Sequence, residues 1–399
     1  MRILLVADGR SPITKNWIRM IGSLGHQVVL LSTFPHKPIP DIKGQFFLAV
    51  GFSSFAGSQV KSKGQGKPSR ISGFVALFRP LLMRIRAFLT PLLMPRYQAQ
   101  FLEYVRLINP DIVHALRIPF EGMLAAALPE EIPLVVSIWG NDLTLHAKTS
   151  KLMASRTRDA LGRADGLVAD AARDIQLAGE MGLREWVPHI VVPGCGGLDL
   201  NAVRTAAKNS SIEKHGIPVN VPLIINPRGF RPGSVHQDVF FQSIPFILKE
   251  VPDAHFVCAG MRGQPQAEKW LQELGINTRV SLLPFLPQSE LWALYSSADV
   301  YISLSSHDGT PNSFLEAIAC GCFPVVGNIA SLREWIDQGK NGWLVEPRDE
   351  HAAADAVISV LRDKTLRDRA AVINQKIVAD RADIQQVKKV VGKFYEQFE

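Results

Sequence analysis

The sequence predicts an α/β protein made of two successive doubly wound parallel sheets. Short apolar runs alternate with helical stretches along the chain, the grammar of a parallel sheet whose strands are joined by crossover helices. The alternation falls into two series that meet near residues 198–205. At 399 residues the chain is too long for one ordinary core and suits two domains of about 150 to 200 residues each.

In the first series, "RILLVA" (2–7) and "QVVLLS" (27–32) flank a helical stretch at 14–24 that stops at Gly25. "DIVHAL" (111–116), "PLVVSIWG" (133–140), "GLVAD" (166–170) and "HIVVPGCGG" (189–197) read as further strands. The second series runs "LIINPRG" (223–229), "AHFVCAG" (254–260), "VSLLPF" (280–285), "VYISLSS" (300–306) and "FPVVGN" (323–328). The expected domains are 1–200 and 201–385, with a last helix over 386–399 packing back on the first. Ligands of such sheets sit outside the carboxyl ends of the strands. Two of them facing each other across a cleft would place a small-molecule site there.

With 47% hydrophobic and 20% charged residues, the composition is that of a folded protein and excludes a disordered one. No run of about 18 uncharged apolar residues exists, so a membrane-spanning helix is not expected. "MRILLVADG" meets Asp8 too early for a secretory signal, and the expected compartment is the cytoplasm. Cys195, Cys258, Cys320 and Cys322 form no C-x-x-C pair and read as reduced core residues.

The net charge of +7 is local in origin, because no acid falls between Asp41 and Glu103 while lysines and arginines crowd 61–96. Within that stretch, 57–70 reads as a flexible basic loop, and 71–96 mixes arginines with apolar residues broken by Pro80, Pro91 and Pro95. Two readings stand for 71–96: a segment lying on an anionic membrane surface, or a helix pair covering the first core with solvated arginines. No nucleic-acid recognition motif accompanies the charge, and no nucleic-acid partner is expected.

"SSHDGTPNSFLEAIACG" (305–321) is the most informative stretch. Thr310 suits an N-cap, Pro311 the first helical position and Gly321 the stop. Glu316 falls among Leu315, Ala317, Ile318 and Ala319, so a carboxylate is buried in an apolar helix. A lone buried charge costs several kcal/mol or is neutralised. Either it pairs with an arginine or emerges at a seam, or it serves a ligand. A nucleotide fits, with diphosphate at the helix start and ribose diol on the carboxylate.

This pattern resembles the signature of glycosyltransferase family 4, retaining enzymes of the GT-B fold, in which a Glu-Gly-x-Pro loop precedes Leu-Glu-Ala on the helix. The chain reads Asp308, Gly309, Thr310, Pro311, then Leu315, Glu316, Ala317, with "LREWIDQGKNGWLVEP" (332–347) beyond. The resemblance implies that Glu316 holds the ribose, while Asp308 and the adjoining Gly309, Thr310, Pro311 and Asn312 contact the donor. In "INPRGFRPG" (225–233), Arg228 matches the family's diphosphate-gripping arginine. Gly233 stands where the family has lysine, which leaves Arg231 to substitute. Phe285 and Leu286 match the loop that lies against the nucleotide base.

In the first half, "NPDIVHALRIPFEG" and "IPLVVSIWGNDL" are similar to the strands that present acceptor-side loops. The resemblance implies roles for His114, Gly140, Asn141 and Asp142, with Trp139 where many members have His. The first loop, "DGRSPITKNW" (8–17), would supply Arg10, Ser11 and Thr14. The implied catalytic set is Arg228, Arg231, Asp308, Asp142 and His114.

The implied activity is a hexosyltransferase that moves a sugar from a UDP- or GDP-linked donor to a glycan or lipid-linked acceptor, as in cell-envelope polysaccharide or glycolipid synthesis. The peripheral inner face of the membrane is its expected place. No cofactor is implied. No Asp-x-Asp occurs, so metal-independent transfer is expected, with cations stabilising the departing diphosphate. No acid stands out as a nucleophile. Rival readings are a GT-B sugar-nucleotide epimerase, a non-catalytic sugar-binding protein, which should carry an export signal, and a nucleic-acid binder, which leaves Asp308 and Glu316 unexplained.

Overall fold

The structure is a computed structural model that describes residues 1–40, 42–51, 53, 89–208 and 212–399. The basic loop expected at 57–70, and the surface segment expected at 61–96 except for 89–96, lie outside the described residues. The chain divides into two compact units. One holds the described residues up to Gly196 together with Val387–Glu399, and the other is Gly197–Gln386.

The first unit is built on strands β1 (Arg2–Ala7), β2 (Gln27–Ser32), β3 (Gly44–Phe47), β4 (Ile112–Ala115), β5 (Leu134–Ile138), β6 (Gly166–Ala169) and β7 (His189–Val191). They form one sheet in the order β3-β2-β1-β4-β5-β6-β7. Neighbouring strands are parallel throughout. The central strands are buried on both faces, which is why their sequences are continuous apolar runs instead of alternating ones. Successive residues still divide between two cores. Leu4, Val6, Val113 and Val136 face one layer, and Ile3, Leu5, Ile112 and Val135 the other. That second layer is closed by Val387, Val391, Phe394 and Tyr395 of the last helix, Ile384–Tyr395.

The second unit repeats the plan with β8 (Leu223–Asn226), β9 (His255–Cys258), β10 (Val280–Leu282), β11 (Val300–Ser303), β12 (Phe323–Gly327) and β13 (Trp343–Val345). Its order is β10-β9-β8-β11-β12-β13, again all parallel. In each sheet the winding reverses once, at β1/β4 and at β8/β11. Loops leaving the two strands at such a point diverge and open a crevice at their carboxyl ends.

Two strands escape the sequence reading, β3 and β13. Both are edges, only partly buried, and "GQFF" and "WLV" carry too little apolar length to stand out. Elsewhere the expected runs overshoot at the carboxyl end. "VYISLSS" is strand only to Ser303, and "LIINPRG" only to Asn226. The surplus residues are the loops that carry the sites. The four cysteines are free, and Cys195, Cys258 and Cys322 are buried.

Candidate active site

At the β8/β11 reversal, β8 runs out through Asn226 to Arg228 while β11 runs out through Ser305 to Asp308. The Arg228 guanidinium donates to Asp308 Oδ2 across this point. Both side chains are largely buried, 6% and 16% exposed, so the attraction acts with little screening. Burial alone would pull the Arg228 pKa down, but the Asp308 carboxylate, with smaller contributions from Tyr301 and Tyr295, raises it on balance. Arg228 Nη1 also reaches Ser313 Oγ at 3.3 Å, which ties the arginine to the first turn of the next helix. Arg231 Nε donates to the Arg228 carbonyl at 3.3 Å. Repulsion by Arg228, then burial, lowers the Arg231 pKa. Two guanidiniums are thus held close together against one carboxylate.

The loop is braced from several sides. Asp308 Oδ1 accepts from Gly309 N at 3.1 Å, and the Asp308 carbonyl from Ser331 Oγ at 2.9 Å. Asn226 Oδ1 accepts from Arg228 N at 3.2 Å. Gly327, at the end of β12, lets the Ser305 backbone approach. A Cβ there would fall 2.1 Å from the Ser305 carbonyl oxygen, so only glycine fits.

The helix after Asp308 spans Asn312–Ala319, with Pro311 as its extended N-cap. Thr310 is therefore not the cap, and Pro311 does not open the helix. The Thr310 hydroxyl instead accepts from Trp335 Nε1 at 3.1 Å. The helix stops as expected, at Gly321 with φ +100°. The first-turn amides of Asn312 and Ser313 precede any carbonyl of the helix that could take them and favour an anion.

Glu316 follows about 6 Å further along the axis and is 6% exposed. Its partner is not an arginine. Gln288 Nε2, on the neighbouring Gln288–Ser297 helix, donates to Glu316 Oε1 at 2.6 Å. Burial raises the Glu316 pKa to about 7, and the Gln288 bond opposes the rise. Hydrogen bonding from Trp292 opposes the rise as well, after Gln288, and a buried acid with a raised pKa beside an exposed amide is a common feature of functional sites. Phe285 is 59% exposed and lies against Gly260, where a Cβ would meet the ring at 3.2 Å. Leu286 beside it is half-buried.

At the β1/β4 reversal the first unit holds a cavity of about 370 Å³. Asp8, Ser11, Thr14, Phe34, Arg117, Phe120, Glu121, Trp139, His146 and Thr149 are among its lining. Asp8 takes both Arg10 Nε at 3.0 Å and Arg10 Nη2 at 2.8 Å, and the Arg10 guanidinium lies 3.7 Å from the Phe34 ring centre. Ser11 caps the Pro12–Ser23 helix, and Thr14 Oγ1 donates to the Asp8 carbonyl at 2.8 Å. Glu121 is 4% exposed. It accepts from Thr33 Oγ1 at 2.7 Å and from Phe120 N at 3.0 Å. Burial raises its pKa, against the pull of Arg117. Arg117 and Glu121 are not among the residues the sequence singles out. The acid beside a strand end was their visible signal.

Two expected catalytic residues do not belong to a reacting surface. His114 is fully buried in β4, bonded to Tyr395 OH at 2.6 Å and Ser137 Oγ at 2.8 Å. Burial drives its pKa to about 3, so it is a neutral core side chain. Asp142 is also fully buried. Its carboxylate accepts from Arg117 Nη2 at 2.7 Å, Trp139 N at 3.1 Å and Ile118 N at 3.2 Å. Asp142 thus clamps the loops after β4 and β5 and cannot be presented to a substrate. Gly140 and Asn141 do not line the cavity either. The Gly140 carbonyl accepts from Arg173 Nη2 at 2.9 Å, and Asn141 precedes the Asp142–His146 turn. Among the described residues no cluster of His, Cys, Asp and Glu is arranged to hold a metal ion.

Two doubly wound parallel sheets, each with its site at the winding reversal, place the protein in the GT-B class of folds. The chain matches the family "Glycosyl transferase 4-like domain" over residues 9–194 and the family "Glycosyl transferases group 1" over 207–376. It belongs to the group 1 glycosyltransferases of the family 4 type. The D-inositol 3-phosphate glycosyltransferase of Corynebacterium urealyticum is 32% identical over 137 residues, 32% of this chain and 32% of that protein. The match therefore spans about a third of that relative's length. Among solved structures, sucrose-phosphate synthase from Thermosynechococcus elongatus superposes with a TM-score of 0.73 at 16% identity, covering 100% of this chain and 98% of that one. Anabaena HepE in complex with UDP-glucose gives 0.70 at 15% identity, covering 100% of both. At such identities the two structures speak to the fold alone.

Proposed function

We propose that the protein transfers a hexosyl group from a nucleoside-diphosphate sugar to an acceptor hydroxyl, with retention at the anomeric carbon and without a metal ion. The observation that carries this reading is the array at β8/β11. The Arg228–Asp308 pair stands at a helix start, with the buried acid Glu316 one turn further on. As the donor bond breaks, the diphosphate gains charge, and Arg228, Arg231 and the first-turn amides are placed to stabilise it. Glu316 takes the ribose diol in exchange for Gln288, Asp308 and its loop contact the sugar, and Phe285 offers a face to a uracil or guanine base. The chain contains no Asp-x-Asp, which leaves the diphosphate to the arginines.

The acceptor side is the cavity of the first unit, and the acceptor is a glycan or a lipid-linked sugar. Exposed Leu89, Leu92 and Leu93, at the described end of the basic stretch 61–96, support attachment to the anionic inner face of a membrane. No helix among the described residues is long and apolar enough to cross one. Membership of a glycosyltransferase family favours transfer over epimerisation.

The test is a panel of UDP-, GDP-, ADP- and TDP-sugars with the purified chain, scored for binding and for nucleotide diphosphate release with membrane extract. One donor should bind, turn over and lose at least tenfold in affinity in Glu316→Gln. Failure of every sugar nucleotide to bind, or an unchanged Glu316→Gln variant, removes the reading.

A further inference from the structure

We infer that Gln237 is a positioning residue for the transfer: paired with Asn226, it fixes the backbone that carries Arg228, so that the guanidinium is already aimed when a diphosphate arrives. The inference rests on the transfer reading and deepens it by naming what holds the arginine that grips the donor. Asn226 is the last residue of β8, and Gln237 is the first of the helix Gln237–Glu250. Both are buried, 1% and 3% exposed, although a glutamine in a first helical turn has every reason to stay in water.

A chain of hydrogen bonds runs through the two amides in one direction. The Arg228 amide donates to Asn226 Oδ1 at 3.2 Å. Asn226 Nδ2 donates to Gln237 Oε1 at 2.7 Å, and Gln237 Nε2 donates to the Gly229 carbonyl at 2.6 Å. The backbone groups at the two ends settle how both amides are turned, because an N–H can only donate and a carbonyl can only accept. Turning either side chain over would set donor against donor or acceptor against acceptor at each of its contacts. The chain therefore closes on the Arg228–Gly229 backbone from both ends and has a single polarity.

The rest of the loop is anchored elsewhere. Phe230 stacks on Trp270 with ring centres 5.7 Å apart, and the Arg231 carbonyl accepts from Ser234 N and Val235 N. Gly229 has φ +60°, a left-handed backbone that glycine adopts without strain, so the turn beside Arg228 is not stiffened by a side chain of its own. The amide pair supplies that stiffness. Burying two primary amides is costly unless their groups are bonded, and two apolar side chains would fill the same space without that risk. A polar pair whose partners are met fixes one backbone geometry. That matters here because a shift of about 1 Å in a charge-stabilising group can cost about 10² in rate.

The experiment is a double-mutant cycle on the purified full chain, with UDP and GDP as probes and affinities read by ligand-observed NMR. Gln237→Met keeps the length of the side chain and removes both of its hydrogen bonds. It should weaken the nucleotide that binds about tenfold, but less than about twofold when Arg228 is already alanine, because residues that act through one another are not additive. If Gln237→Met does not fold, Gln237→Glu, which keeps the bond from Asn226 and loses the donor to Gly229, goes through the same cycle. An equal loss in both backgrounds overturns the inference. So does a lowered denaturation midpoint with unchanged binding, the mark of a purely structural role. A chain that binds neither nucleotide overturns the transfer reading instead, and the positioning role with it.

Discussion

The two winding reversals share a topology but not a chemistry. At β8/β11, Arg228 and Arg231 face one carboxylate, Asp308, at the positive end of a helix, so the local charge is cationic and suits a diphosphate. At β1/β4, among the described residues, Arg117 pairs with Asp142 and Arg10 with Asp8, and a further buried acid, Glu121, stands in the cavity lining. A doubly wound sheet supplies the crevice, and the few residues just past the strand ends decide what enters it.

The sharpest way to break this contrast is Arg228→Ala. It should lower kcat by about 10² to 10³, the range expected when a group that stabilises developing charge is lost. Steady-state kinetics with the identified donor would show it, and an unchanged kcat would remove the leaving-group role. In the first unit, Asp142→Ala should act on stability. It leaves Arg117 without its counter-charge and frees two loop amides, at a cost of about 3 kcal/mol, readable as a lowered denaturation midpoint with UDP binding retained.

Gly327→Ala tests whether close backbone approach builds the second site. A methyl 2.1 Å from the Ser305 carbonyl must push the Ser305–Asp308 loop aside, and a loss of about 1 to 3 kcal/mol together with weaker donor binding is expected. Equal stability in calorimetry and unaltered binding would show that the loop is not held there.

The gentlest probe is pH. The folded pKa of Glu316 is raised to about 7 from 4.5, so the native state holds this proton more tightly than the unfolded chain does. Its stabilising share is complete below about pH 4.5 and is lost as pH rises through about 7, an upper bound of about 3 kcal/mol. The wild type should therefore lose stability relative to Glu316→Gln across that window in parallel denaturant titrations. Parallel curves would mean that Glu316 titrates as an ordinary surface acid.

The interior strands were legible because both faces are buried and their apolar runs are continuous, whereas the half-exposed edges β3 and β13 were not. Glu316 was legible as a misfit, an acid in an apolar helix. Its partner Gln288 was not, because a glutamine at a helix start is unremarkable until the fold sets it over a buried carboxylate. His114 and Asp142 were expected to be catalytic through the family resemblance, and the structure makes them a core residue and a loop clamp. A side chain's chemistry depends on what surrounds it, and those neighbours come from distant parts of the chain, such as Tyr395 for His114.

The sequence alone determined the two-sheet plan, the helix after Asp308 and the need for a partner to Glu316, because periodicity, caps and buried charge are local quantities. Tertiary structure decided which acids are free to meet a ligand. Asp142 is spent on Arg117 and two amides, while Glu121 stays in a cavity lining. That difference arises where the loops after β1, β4 and β5 converge, and no single stretch of sequence contains it.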